Sequence, residues 1–497
     1  MSQELIKSTA ELKTIAELLS EEVKNDEDRI VSRYTRVIHD LSVFHDGKES
    51  KHVYAQSNLN KELIEKGIYT QTEIEDLCQA NLKKIQVARD LKEHRFHFKS
   101  KGISLPAEEA VYEEKIPTEV DMYDNEFKQF TKEHADTKIT RSLRVEQKVI
   151  VNSKGGKVVQ TIPIFGIFYH QGYNPIPLKR NLGVVCTSAQ DVRNLTKLIK
   201  RMVDPTPTKR INNSASFSEA FHELFQLYPL KCGSLEEAGM PSAGLFDVCT
   251  LGGTFIHEIF GHHFEEPLRT LEFGDVATFK YDQATQNKTI ILKDDPTQIV
   301  EGFRVQGFTY VDAYGRRREP RTLIEGGKVK GFLGSEYVDS ENLKRYLGLD
   351  KSEFVGNAVQ SDGLFPQPAA SCTVIDGSAE DVDLEGKLLL NPSYGTTNRQ
   401  DKTYSLTAFE SYVIKNGKAQ RLIPLQVTGG INQALANLHL LADTNYQSGV
   451  CNKPEPLYAQ RETEVLVSQF TKSQLWAAQQ VYPLPLSDRH LKILTKR

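Results

Sequence analysis

The chain is poor in the features that mark secreted, membrane-spanning or nucleic-acid-binding proteins. Six cysteines in 497 residues (Cys78, Cys186, Cys232, Cys249, Cys372 and Cys451) show no short repeating spacing, which argues against a disulfide framework and fits a reducing compartment. No apolar run approaches the roughly 18 residues of a membrane-spanning helix. The opening stretch MSQELIKSTAELKTIAELLSEE lacks the unbroken apolar segment of a signal peptide. A cytoplasmic protein without a membrane partner is therefore expected. Positive charge is not in excess: 62 Lys and Arg against 66 Asp and Glu give a net charge of −4, so no nucleic-acid partner is expected. Internal repeats, low-complexity tracts, phosphate-cradling glycine loops and nucleophile elbows are also missing.

What remains is an ordinary globular composition, 39% hydrophobic and 26% charged, in a chain too long for one core. The polar, proline-bearing stretch VDPTPTKRINNSA, residues 203–215, reads as a boundary between domains at 1–210 and 211–497. Before it, helical spacing predicts a surface helix over residues 1–24 and two helices over 59–94, broken near Gly67. Residues from Arg29 read as a strand and turn, and 98–125 as a long acidic connection. The run from Leu143 reads as a hairpin through Lys154-Gly155-Gly156 and then a third strand. A helix capped by Ser188 follows. From 270 to 430, short β-like runs separated by DAYGRR, EGGKV, KNGKA and VTGG predict mostly antiparallel sheet.

The segment TFIHEIFGHHFEE carries the chemistry. Thr254 to Glu265 suits a buried helix, because Phe255, Ile256, Ile259 and Phe260 make much of its surface apolar. Glu266 precedes Pro267, which ends the helix. Burying histidines there is costly unless something satisfies them. His257 and His262 are five residues apart, however, and a regular helix sets such positions about 140° apart. One widened turn, a π-bulge, brings His262 back beneath His257, and Gly261 leaves room for it. Glu258 then lies beside any ion the pair holds, placed to take a proton from water. Catalytic zinc normally has three protein ligands, so a third must come from elsewhere. On this spacing alone, structural histidines and a metal site remain equally open. A second His-Glu pair, His222-Glu223, reads as plain helix surface or core.

The flanking residues extend the pattern. LFDVCTLGGTFIHEIFGHHFEE resembles the H-E-x-x-G-H-x-x-E segment of the TldD/PmbA metallopeptidase family, whose TldD branch carries H-E-x-x-x-H. ILKDDPT, VDAYGRRREPRTLIEGGKVKGFL, LTAFESYVIKNGKAQRLI and VIVNSKGG are similar to further segments of that family. They follow in the same order across residues 140 to 470. The resemblance implies an α+β fold: an N-terminal α/β domain, a long buried motif helix and a mainly antiparallel barrel- or sandwich-like metallopeptidase domain. It implies His257, His262 and Cys451 as ligands of one Zn²⁺ (or another divalent ion), with Cys451 in a Gly- and Pro-flanked loop and Glu258 as general base and acid. It also implies hydrolysis of short or unfolded peptides, in a homodimer or a heterodimer with a TldD/PmbA-type paralogue. The other reading is a non-catalytic assembly subunit with a structural metal; hydrolysis of non-peptide amides is a further one. Glu265 is a candidate for orienting a histidine. The chain departs from the family at PQPAASC after Pro366 and at Asn452-Lys453-Pro454-Glu455, where substrate contacts are expected. His94, His97 and His170 read as surface or satisfied core. Arg316-Arg317-Arg318 reads as a solvated hairpin tip.

Overall fold

A computed structural model describes residues 8–23, 29–32, 36–45, 48–58, 109–115, 137–152, 157–171, 178–188, 190–195, 197, 232–250, 253–265, 288–300, 302–313, 315–334, 356–359, 367–398, 401, 403–454, 462–487 and 495. Eight strands make the first sheet: β1 (Ser8–Val23), β2 (Arg29–Ser32), β3 (Arg36–His45), β4 (Lys48–Asn58), β5 (Glu109–Glu113), β6 (Thr137–Asn152), β7 (Lys157–Gln171) and β8 (Leu178–Val185). Their order is β4-β3-β1-β6-β7-β5, with β2 on β1 and β8 on β7. Only β5 runs parallel to its neighbour. The apolar run in β7 is buried from Val158 to Ile167, including Phe165 and Ile164, as expected of a strand covered on both faces.

Several expectations change here. Residues expected as a surface helix over 1–24 hold β1, whose backbone bonds to β3 on one side and β6 on the other. Ladder pairing on both edges overrides the helical spacing. The third strand expected after the Lys154 hairpin is the continuation of β7, a single strand of 15 residues. β5 lies within the stretch read as a connection. The serine-capped helix is present at 190–195: Ser188 N–H donates to Asp191 Oδ2 at 2.9 Å, and Asp191 N–H returns a bond to Ser188 Oγ at 3.3 Å. The helices expected over 59–94, and the boundary at 203–215, lie outside the described residues. The described part of the chain is mostly β.

The second sheet has eleven strands. They are β9 (Gly244–Thr250), β10 (Ile291–Asp294), β13 (Arg321–Glu325), β14 (Lys328–Val329), β17 (Cys372–Asp376), β18 (Leu388–Asn398), β19 (Thr403–Lys415), β20 (Lys418–Leu422), β21 (Leu425–Gly430), β22 (Leu438–Pro454) and β23 (Glu462–Pro483). Two short pairs stand apart, β11 (Ile299–Val300) with β12 (Phe303–Arg304) and β15 (Ala358–Val359) with β16 (Gln367–Pro368). The path β9-β18-β19-β21-β23 closes on itself because β23 also pairs with β9, which makes a barrel. β23 serves several partners along its 22 residues: β22 first, β17 in parallel, then β9 and β21. Its register shifts between Trp476 and Gln479, where Ala478 takes φ 53°. The KNGKA turn joins β19 to β20 with Asn416 at φ 51° and Gly417 at φ 66°, the left-handed pair a two-residue hairpin requires. VTGG, read as a turn, ends β21 and leads into a short helix, Ile431–Ala436.

The motif helix packs its apolar side into the barrel. Phe255 stacks on Trp476 at 4.4 Å and tilts against Tyr404 at 5.7 Å, and Phe260 lies 5.8 Å from Trp476. All four rings are buried in one cluster with Leu388, Leu406 and Val427. The first sheet joins the second through a separate cluster in which Phe165 and Val184 meet Phe303, Val305 and Tyr446. Arg318 is not part of a solvated tip: it is 3% exposed and lies 3.7 Å from Asp294. Among the described residues no helix is long and apolar enough to cross a membrane.

Candidate metal centre

The motif helix is regular over Thr254–Ile256, widens over His257–Gly261 and is regular again over His262–Phe264. Within the widened turn, His262 N–H donates to His257 O, five residues back. The π-turn expected from the spacing is therefore present, and it sets the two imidazoles with centroids 4.8 Å apart. Gly261 leaves the turn uncrowded: a Cβ there would lie 3.2 Å from His257 Nδ1, a tight contact. The helix ends one residue earlier than expected. Glu265 turns extended (φ −71°, ψ 121°) and bridges to Leu333.

Cys451 lies in β22, paired with Val465 of β23, rather than in the loop its Gly and Pro neighbours suggest. The ladder carries its sulfur to 3.5 Å from His262 Nε2. Donor atoms of His257, His262 and Cys451 lie within 4.8 Å of one another. Glu258 Oε2 stands 3.6 Å from His262 Nε2, and the Glu258 side chain keeps 15% exposure. His262 Nδ1 lies 3.0 Å from Glu265 Oε2, and Glu265 Oε1 accepts the Ala370 N–H at 3.0 Å. These contacts fit Glu265 accepting the Nδ1 proton, which turns the Nε2 lone pair of a neutral ring toward Cys451.

The electrostatics match the geometry. Burial works against a thiolate at Cys451, but His262 and then His257 outweigh it and bring the pKa down to about 6. Burial also disfavours a charge on His262; the Glu265 carboxylate and the Cys451 sulfur outweigh that and push its pKa up to about 10. Both ring nitrogens of buried His257 lack hydrogen-bonding geometry to any partner among the described residues. Two imidazoles and a thiolate with an orphaned nitrogen suit a divalent cation of the zinc type, which takes the place of protons that such ligands otherwise hold.

Three neighbours were not found from sequence. Gly395 in β18 backs onto Glu258: a Cβ there would lie 2.4 Å from Glu258 Cγ and 2.5 Å from Leu406 Cδ2. Thr397 Oγ1 donates to Glu258 O. Ala370 supplies the N–H for Glu265. Each contact spans more than 100 residues, and no local pattern in YGTTN or PQPAASC announces it. His222, Glu223, His94 and His97 lie outside the described residues.

Comparison with known proteins follows the same lines. Residues 250–462 match the family model described as the PmbA/TldA metallopeptidase C-terminal domain. A protein of Archaeoglobus fulgidus named a metalloprotease is 26% identical over 245 residues, covering 47% of this chain and 53% of that protein. The chain thus spans about half the length of the curated relative it matches. The crystal structure of TldE from Thermococcus kodakarensis aligns with a TM-score of 0.57 over 96% of both chains at 12% identity, a likeness of fold.

Proposed function

The chain belongs to the TldD/PmbA family, and from that premise we propose that it is a metal-dependent peptidase whose ion is held by His257, His262 and Cys451. The observation that carries this reading is the meeting of those three donors beside Glu258. When bound, a Zn²⁺ ion supplies Lewis-acid polarisation of the scissile carbonyl and acidifies a water molecule. Glu258 takes the proton from that attacking water through Oε2 and returns it to the departing amine nitrogen. The partial exposure of Glu258 leaves it a path to substrate, which a purely structural ion would not need. Glu265 holds the ring of His262 in one orientation.

Short or unfolded peptides fit the surroundings. The β18–β9 ladder stops at Leu390, and beyond Pro392 the described strand partner of β18 is β19 alone. Glu258 lies against the face of β18 at Gly395, Tyr394 beside it is 63% exposed, and an extended peptide adds to a strand edge of this kind through its backbone. Pairing with a second copy, or with a TldD/PmbA-type paralogue, in the cytoplasm belongs to the same reading.

Metal analysis of the purified protein beside His262→Ala and Cys451→Ala tests it. Wild type should hold about one equivalent of ion and cleave unfolded peptides, and both variants should lose the ion. Full ion content in both variants would overturn the ligand set, and peptide cleavage by Glu258→Ala would overturn the base.

A further inference from the structure

Away from the three donors, a buried pair of opposite charge grips the backbone that supports them. Asp294, at the end of β10, accepts the N–H of Ser371 at 2.8 Å and that of Cys372 at 2.9 Å through one oxygen. Its carboxylate also takes the Ser371 hydroxyl at 3.1 Å. Arg318, 3.7 Å from Asp294, donates Nη2 to Ala369 O at 3.1 Å and Nη1 to Thr309 Oγ1 at 3.3 Å. Gly307 presses on the same segment, for a Cβ there would lie 1.9 Å from Ser371 O. Residues 369, 371 and 372 are thereby fixed, and the one between them, Ala370, aims its N–H at Glu265 Oε1. The other oxygen of Glu265 meets His262 Nδ1.

We infer that Asp294 and Arg318 form a positioning clamp for the metal centre: by fixing residues 369–372 they hold Glu265, and through it the orientation of His262. The inference rests on His262 being a ligand, as proposed above. A charged pair whose side chains are each 1% exposed carries a large desolvation cost, and replacing such pairs by apolar residues often stabilises a protein. What the pair provides in return here is a fixed carbonyl and two fixed N–H groups on either side of the one N–H that reaches the site. Partners that orient a ligating histidine typically contribute roughly 10- to 100-fold in metal affinity.

A double-mutant cycle on Zn²⁺ affinity, read by competition with a chromophoric chelator, tests the clamp on the full chain. Arg318→Met should weaken Zn²⁺ binding by about 10-fold and Glu265→Ala by about 10- to 100-fold. In the Glu265→Ala background, Arg318→Met should change affinity by less than about 2-fold, because its route to His262 is already cut. An equal loss in both backgrounds would overturn the clamp and leave Arg318 a scaffold residue, as would unchanged affinity in the single variant. Arg318→Lys is measured in parallel, since it keeps a charge against Asp294 while losing the planar fork to Ala369 and Thr309. It should show a smaller loss with the same dependence on Glu265, and a loss independent of Glu265 would again overturn the clamp. Wild-type Zn²⁺ binding that Cys451→Ala leaves unchanged would sink the ligand assignment instead, so the two failures are distinct.

Discussion

His257 and His262 reach the centre from one widened helical turn, whereas Cys451 arrives on β22, 189 residues beyond His262. The first pair is set by a local device: an extra residue in one turn and a glycine beneath the ring. The sulfur is set by topology, because β22 is placed by its long ladder with β23, and β23 is woven into the barrel that holds the helix. A helix can bring two groups together within about 5 Å on its own geometry. Only a closed sheet fixes a third group against them from so far along the chain.

The sharpest way to break this comparison is at Glu258, which lies outside the proposed ligand set. Glu258→Gln should lower kcat for peptide cleavage by about 10²- to 10⁴-fold while leaving ion content near one equivalent, measured by steady-state kinetics beside metal analysis. Crowding the contact between the motif helix and β18 comes next. Gly395→Ala puts a methyl group on Glu258 Cγ from the strand side, so kcat should fall by roughly 10²-fold with Zn²⁺ affinity unchanged. An equal loss of ion would show that β18 shapes the donors rather than the base.

Packing effects are smaller in their reach on chemistry. Phe255→Ala removes the ring stacked on Trp476 and should cost about 3–5 kcal/mol in chemical denaturation, since helix and barrel share one core. The smallest effect is expected far from the site: Gly417→Ala, at φ 66° in the β19–β20 turn, should cost about 1 kcal/mol with kcat unchanged.

The sequence made the helical half legible and the strand half much less so. His257, Gly261 and His262 lie within six positions, and a 3.6-residue period converts that spacing into a demand for a π-turn. Asn416-Gly417 and the Ser188 cap were readable for the same reason, each a local backbone rule. Cys451 was pointed to by family likeness alone, and its Gly449 and Pro454 neighbours suggested a loop where ladder bonds make a strand. Arg318 misled in the same way. Three arginines in a turn look solvated until Asp294, at the end of β10, supplies the buried partner of Arg318. In β1 a helical rhythm of charges gave way to pairing on both edges.

X-ray absorption at the zinc edge of the Zn²⁺-loaded protein addresses the shared centre directly. One sulfur near 2.3 Å with nitrogens at about 2.0–2.1 Å is expected in wild type, and the sulfur should vanish in Cys451→Ser. A spectrum with no sulfur in wild type, or one whose sulfur survives that substitution, would contradict the joining of helix and strand at a single ion.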